Sequence, residues 1–537
     1  MRRASKFYRD NKGLGMKVDW GSLTTVDQVV SRGAELYGGR AAYEHDGSTL
    51  DFVQLAYDAD DLSRQLRIVG VTAGLPVAVL LEKSLTFIRA IAGILRAGAI
   101  YVPVDTRNPD DRIRYILRNS GVRHILTTAA GAARLTGLID SGVQLLQMDR
   151  PPNVCFGGTA TRHEAAPLPG LGTNLAYIIY TSGSTHMPKG VAIRHDSLLN
   201  YVRETVRIYE FDTNTRLLCL KSFSYDASLT DIFCPLYAGG TAYLANEGLV
   251  LPPIIEEKIA RHRITHISCT PAVFRLLADS GSLSPKVYAT VKTMSVGGDA
   301  IPSRLFGKIQ DKLPHIRLFN RYGPTETTVT CCTYELVNKV NDNEAIPIGR
   351  PHNNVHLRAI GQHGKPIGVN EVGELYIGGV QVMEGYWGSP ELTAKVITAS
   401  FGDRMRYYKT ADLVTINEEG DYIFLRRLDN IVKKNGYRIS LDEVEAAILR
   451  SGLADECVCV FLPEEASGSR AKIVACLKSA GATMSEHEIR EQLRLLLPAH
   501  MIPDFFAPVS SIPKELSGKP ARQVLKKRFL SQYGNRS

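Results

Sequence analysis

The sequence predicts an α/β protein: a large N-terminal domain of α/β-layered lobes with a β-rich lobe, plus a small α+β C-terminal domain. Two observations carry this. Apolar runs bounded by Gly and Pro alternate with stretches of helical period, as in Val77–Leu81 followed by Leu85–Arg96, the pattern of parallel strands covered by helices. At 537 residues the chain is several times a typical domain, and its character changes near Arg426–Asn430, dividing it into 20–428 and 429–537.

In order, apolar periodicity places helices at Phe52–Leu66, Leu85–Leu95, Asp111–Asn119, Ser197–Tyr209 and Pro253–His262. Strands are expected at Ala78–Leu81, His124–Thr127, Ala176–Tyr180, His266–Ser268 and Leu375–Ile377. Gln147–Leu171, rich in Pro, Gly and Thr, reads as a loop between two α/β lobes. The C-terminal unit should hold a helix at Leu441–Arg450, a strand at Glu456–Phe461, a helix at Glu486–Leu496 and a basic helix after Lys519.

Composition excludes several classes. With 44% hydrophobic and 22% charged residues, the chain is neither disordered, collagenous nor a coiled coil. A net charge of +9 is diffuse, so no nucleic acid is expected. The basic C-terminal end (Lys514, Lys519, Arg522, Lys526, Lys527, Arg528, Arg536) reads as a solvated face. Nine cysteines without regular spacing argue for a reducing compartment, and Cys331-Cys332 and Cys457-x-Cys459 lack zinc-site spacing. The N-terminus has no apolar signal core, and the longest apolar stretch, Ile91–Val104, is broken by Arg96. A cytoplasmic protein with no membrane partner is expected.

The sharpest local signal is Thr181-Ser182-Gly183-Ser184-Thr185-His186-Met187-Pro188-Lys189-Gly190, directly after the strand ending at Tyr180. Hydroxyls, glycines and one lysine in a strand-following loop supply the donors and charge that a polyphosphate needs, without the order of a Walker loop. Taken alone, it is equally an ordinary Ser/Thr/Gly turn.

In register with that loop stand Leu95–Asp105 (LRAGAIYVPVD), Phe223–Ser228 (FSYDAS), Asn320–Glu326 (NRYGPTE), Gly373-Glu374-Leu375, Tyr408–Leu413 (YKTADL), Leu497–Pro503 (LPAHMIP) and Gly518-Lys519. The ordered set, spanning nearly the whole chain, resembles the adenylate-forming (ANL) superfamily, specifically the amino-acid adenylation domains of nonribosomal peptide synthetases. The resemblance implies an ATP- and Mg²⁺-dependent ligase: a carboxylate attacks the α-phosphate, and a carrier-bound phosphopantetheine thiol then takes the acyl group. It implies that Thr181, Ser182, Gly183, Ser184, Thr185 and Lys189 hold the β- and γ-phosphates. Tyr322 stacks on adenine with Asn320 near its amino group, Thr325 meets the α-phosphate, and Glu326 binds the metal. Asp412, with Arg427 close by, takes the ribose hydroxyls. Lys519 bridges substrate carboxylate and α-phosphate, and Asp429 is the hinge of a mobile small domain, with Gly436 beside the pantetheine arm.

The sequence departs from that pattern at His186, Ala411 and Arg426, where glycine is usual, at Phe424, where Tyr is common, and at Ser517, Pro520 and Ala521 around the lysine. None removes a charged catalytic group. Asp226 stands where amino-acid-activating members pair with the substrate ammonium; its plain alternative is a cap on a helix starting near Ser228. The resemblance lines the side-chain pocket with Ala227, Thr230, Ser268, Ser295, Gly297, Arg321, Val329 and Thr330. Arg321 suggests a small polar or acidic amino acid, aspartate- or glutamate-like, or a β-amino acid. If Asp299 or another nearby carboxylate neutralises Arg321, a small substrate such as serine or alanine is expected instead.

With no carrier segment after Lys519, the expected partner is a carrier protein acting in trans, and a small MbtH-like activator is a further candidate. The alternatives are an acyl- or aryl-CoA ligase, an amide-forming adenylating enzyme, and a degenerate non-catalytic member.

Overall fold

The computed structural model describes residues 23–149, 155–156, 174–182, 187–246, 251–280, 283–299, 301–338, 345–399, 401–463, 470–478, 485–514 and 520–533. Among them the strands form two large sheets, a five-stranded sheet, a hairpin and a three-stranded sheet.

The eight-stranded sheet is built on parallel strands Pro76–Leu80, Ile100–Pro103, His124–Thr127 and Gln144–Gln147, joined on its other flank by Leu175–Thr181. The nine-stranded sheet is built on parallel Arg216–Cys219, Thr241–Leu244, His266–Cys269, Thr293–Gly297 and Arg317–Tyr322. Strands such as Pro76–Leu80 are buried along their whole length, as sheets covered on both faces require. Helices Phe52–Ile68, Leu85–Arg96, His195–Tyr209 and Leu229–Ala238 pack into one apolar cluster with residues of both sheets, including Val77, Tyr101, Ile179, Leu217 and Leu244. The predicted elements recur within a few residues; His124–Thr127 and Leu441–Arg450 coincide with their predicted bounds.

One expectation is corrected. The Gln147–Leu171 segment does not join two lobes, because the strands before and after it belong to the same eight-stranded sheet, and Cys155–Phe156 folds back on Gln144–Gln147. Pro and Gly mark where an element ends; they carry no information about which sheet receives the next strand.

The five-stranded sheet, the expected β-rich portion, is antiparallel. In its strand Tyr407–Ile416, Leu413 faces Glu374 while Lys409 faces Tyr376, so the pairing bulges at Thr410–Asp412. Within the bulge Ala411 has φ +59°, and its carbonyl accepts from Leu428 N–H at 2.8 Å. Bulges re-aim side chains, and this one delivers Asp412 to the cleft described below. The small C-terminal domain begins with the hairpin Ile431–Lys434 and Tyr437–Ser440, whose turn residues Asn435 and Gly436 both have positive φ (56° and 84°), as an Asn-Gly hairpin turn requires. Helix Leu441–Arg450, capped by Ser440, and the sheet of Glu456–Leu462, Lys472–Lys478 and Phe505–Pro508 complete its core. Among the described residues no helix is long and apolar enough to cross a membrane, and Cys219, Cys234, Cys269, Cys331, Cys332, Cys457, Cys459 and Cys476 are free thiols.

The left-handed Ala411 carries a steric cost that glycine avoids, about 1 kcal/mol after glycine's own entropy is subtracted. Ala411→Gly should therefore raise the denaturation midpoint by that amount; an unchanged or lowered midpoint in urea unfolding would contradict a strained bulge.

Candidate active site

A cavity of about 1060 Å³ opens between the C-terminal ends of the nine-stranded sheet and the small domain, the position where open α/β sheets bind ligands. Asn320, Arg321 and Tyr322, at the end of strand Arg317–Tyr322, line it together with Asp412, Arg427 and Asp429. The Tyr322 hydroxyl donates to one Asp412 oxygen, and Arg427 donates to the other at 2.6 Å. The same guanidinium forks onto Asp429 at 2.7 and 2.8 Å. Burial works against the Arg427 charge, but Asp429 and Asp412 outweigh it and raise its pKa. Each carboxylate oxygen has two lone pairs, so Asp412 can still accept two further hydroxyls. Asn320 donates its amide to the Pro347 carbonyl at 2.8 Å, which leaves its own carbonyl oxygen for an incoming amino group. The Lys433 ammonium stands 5.8 Å from the centroid of the Tyr322 ring.

On the phosphate side, Thr181 and Lys189 face each other where the paired strands Leu175–Thr181 and Lys189–Arg194 begin and end. The Thr181 hydroxyl is buried without a partner among the described residues. The Ser182 hydroxyl donates to the backbone carbonyl of Arg438 on the small-domain hairpin. Gly183, Ser184, Thr185 and His186 lie outside the described residues, as do Ser517 and Lys519. The Lys189 ammonium lies 5.2 Å from the Tyr386 ring centroid; burial and the Arg438 charge lower its pKa.

Glu326, 1% exposed, is the electrostatic centre. One Arg438 nitrogen donates to both its oxygens at 2.9 and 2.7 Å, and the Tyr386 hydroxyl adds a bond of 2.8 Å. Burial alone would raise the carboxyl, but Arg438 and these hydrogen bonds prevail and hold it at about 2. A lone carboxylate is what Mg²⁺ asks of a protein when phosphates and water supply its other ligands, so Glu326 fits a metal by type. In this domain arrangement a guanidinium fills that seat. Among the described residues no cluster of three His, Cys, Asp or Glu side chains could hold a metal alone.

Thr325 hydrogen-bonds Asp226, which opens the 3₁₀ turn Asp226–Ser228 leading into helix Leu229–Ala238. That helix start has no side-chain cap, so capping does not account for Asp226. Burial raises the Asp226 pKa, only partly offset by Thr325 and the Ala227 N–H. Beyond Thr325, Thr328 and Val329 both hold positive φ (58° and 66°), a strained state for β-branched residues. Buried Gln381 clamps them, its amide nitrogen reaching the Thr327, Thr328 and Thr330 carbonyls at 3.2, 3.2 and 2.9 Å.

Of the residues expected to line the side-chain pocket, Arg321 lines this cavity. Arg321 reaches the Thr230 hydroxyl at 3.5 Å, Thr230 meets Tyr201, and Ser295 bonds Tyr209. A Cβ on Gly297 would stand 2.6 Å from the Arg321 carbonyl, so the Arg321 strand itself excludes a side chain there. Ser268 accepts from Lys221 at 2.8 Å, and Lys221 pairs with Asp231 at 2.9 Å. Sequence reasoning missed Lys221, Asp231, Gln381, Tyr386 and Arg438. Lys221 lies five residues before Asp226 and Arg438 two after Gly436, so adjacency to the motifs was the one available signal.

The small domain is docked through this site. Tyr437 packs edge-on against Tyr225 at 5.3 Å, a Cβ on Gly436 would stand 3.0 Å from the Thr270 side chain, and Arg112 pairs with Glu443 at 2.6 Å. Arg438→Met should strip Glu326 of its cation and weaken docking by roughly 2–3 kcal/mol. Amide exchange across 431–440 should speed up while the sheet of Glu456–Leu462 stays protected; unchanged exchange would show that the pair does not hold the hairpin.

Residues 30–387 match the family model of the AMP-binding enzymes, and residues 443–519 that of the AMP-binding enzyme C-terminal domain. Gramicidin S synthase 2 of Aneurinibacillus migulanus is 33% identical over 513 residues, covering 95% of this chain and 11% of that protein. This chain thus spans about a tenth of that curated relative's length. The Vibrio cholerae adenylation domain AlmE, in complex with glycyl-adenosine-5'-phosphate, superposes with TM-score 0.81 at 23% identity, covering 97% of this chain and 100% of that one. The o-succinylbenzoate CoA synthetase MenE of Bacillus subtilis gives 0.79 at 21%, covering 93% and 98%. At such identities the structural likeness is one of fold, a large N-terminal domain and a small C-terminal one. With its family model matched over most of its length, the chain belongs to the AMP-binding enzymes of the adenylate-forming superfamily.

Proposed function

We propose that this protein activates an amino acid as its aminoacyl-adenylate and passes the acyl group to the phosphopantetheine thiol of a carrier protein. Asp226 carries the reading: a half-buried carboxylate beside Thr325 and Glu326, whose desolvation an arriving ammonium would repay. The names of relatives such as gramicidin S synthase 2 support it.

In the first half-reaction Asn320, Tyr322 and Asp412 hold the nucleoside, and Thr181, Ser182 and Lys189 hold its phosphates. A substrate carboxylate oxygen attacks the α-phosphorus and the bond to pyrophosphate breaks. Bound Mg²⁺, held by Glu326 and phosphate oxygens, would neutralise charge developing there. Lys519 is assigned to bridge carboxylate and phosphate. In the second half-reaction the thiol sulfur attacks the acyl carbonyl carbon, and AMP departs.

The docked arrangement suits the second step. Arg438 occupies Glu326 and the hairpin backbone covers Ser182, so triphosphate and metal must load with the hairpin withdrawn. Arg427, held by both Asp412 and hinge Asp429, ties the ribose seat to the point of rotation.

Purified protein with ATP and Mg²⁺ should exchange pyrophosphate only when the right amino acid is present; silence across a full panel overturns the proposal. Acyl transfer to a holo carrier should exceed transfer to coenzyme A or an amine, and the reverse would favour a ligase of the other kinds. Asp226→Asn should raise the amino-acid KM roughly 100-fold, the loss of about 3 kcal/mol. Because burial raises the Asp226 pKa and its ionised form binds the ammonium, amino-acid KM should climb on acidification before ordinary aspartates titrate. That dependence should vanish in Asp226→Asn, as read from exchange kinetics against pH.

A further inference from the structure

Three buried cations crowd one buried carboxylate beside the pocket. Lys83, Lys221 and Arg321 are 5, 6 and 6% exposed, and Asp231 is fully buried. Lys83 donates to the Cys219 and Lys221 carbonyls. Lys221 pairs with Asp231 at 2.9 Å and also donates to Ser268. Arg321 has one bond at the limit of reach, 3.5 Å to the Thr230 hydroxyl, and its buried Nε has no partner among the described residues. Lys221 and Arg321 both act on Asp231, so one buried carboxylate is shared between these two cations. Buried charge without a counter-charge is costly, and a ligand anion would remove that cost.

Geometry gives the direction in which such a ligand lies. Asp226 opens the 3₁₀ turn that runs into the helix carrying Thr230, four residues on, and the Thr230 hydroxyl is the group that Arg321 reaches. A zwitterion whose ammonium meets Asp226 therefore extends its side chain toward Thr230 and the Arg321 guanidinium.

We propose that the substrate is a dicarboxylic amino acid of aspartate or glutamate length, its side-chain carboxylate read by Arg321 and by the field of Lys221. This rests on the amino-acid-activating reading above and names its substrate class. Arg321 would be the direct, bidentate contact; Lys221 is a positioning residue that fixes Asp231 and Ser268 and keeps the local charge positive. Among the pocket's small polar residues this selects the acidic option over serine or alanine.

The experiment is pyrophosphate exchange by the full chain with aspartate, glutamate, asparagine, glutamine, serine and alanine. A dicarboxylic acid should exceed its own amide by roughly 100-fold or more in kcat/KM, because the amide leaves a buried charge unmatched. Arg321→Met and Lys221→Met should each collapse the acid-to-amide ratio, and Arg321→Lys should keep part of it. The ratio is internal to each variant, so a general loss of stability does not imitate the effect, and the wild-type ratio needs no variant at all. If serine, alanine or an amide matches or exceeds the acids, or if the ratio survives in both Met variants, the dicarboxylate proposal falls while amino-acid activation stands. If no amino acid supports exchange, the activation reading falls and takes this one with it.

Discussion

A single arginine from one domain seated on a buried glutamate of the other organises the active cleft. Glu326 could not stay ionised so far from water without a cation, and the chain supplies one from Arg438, 112 residues downstream on the small-domain hairpin. The neighbouring contacts follow from this placement. The hairpin backbone reaches Ser182, its Asn-Gly tip lies on Thr270, and Tyr437 meets Tyr225. A cation that leaves such a seat must be replaced by another, so on the proposed reading the hairpin and a metal would compete for one carboxylate.

Much of this was legible before any coordinates. Apolar runs fix strands such as His124–Thr127 because a strand covered on both faces tolerates little else. Asn320, Tyr322, Asp412 and Arg427 do line one cleft, since each sits at a strand end or bulge that a short motif encodes. Pairings between distant segments were not legible. Glu326 with Arg438 and Ser268 with Lys221 come from elements that meet only after folding, and local periodicity carries no record of which charge will face which. Sheet membership was hidden for the same reason, which is why the segment after Gln147 was assigned to a junction between lobes instead of to one sheet.

The departures from the family pattern differ in weight. Ala411 takes a backbone conformation that suits glycine, yet Asp412 still receives Arg427 and Tyr322, so the bulge survives the extra methyl. Arg426 is exposed, consistent with a neutral replacement. Phe424 lines the cavity with a ring that lacks a hydroxyl, and the polar groups of the same cavity include Asp412 and Arg427.

The clamp of Gln381 on the left-handed Thr328–Val329 corner bears on any attempt to redesign the pocket. That corner keeps its shape because a fully buried side chain behind it holds the carbonyls of Thr327, Thr328 and Thr330 in place. On the proposed pocket, exchanging Val329 for a bulkier or smaller residue would alter the lining but not the wall, and libraries confined to lining positions would sample only one backbone. Engineers who want a differently shaped chamber would have to diversify the brace together with the surface it supports.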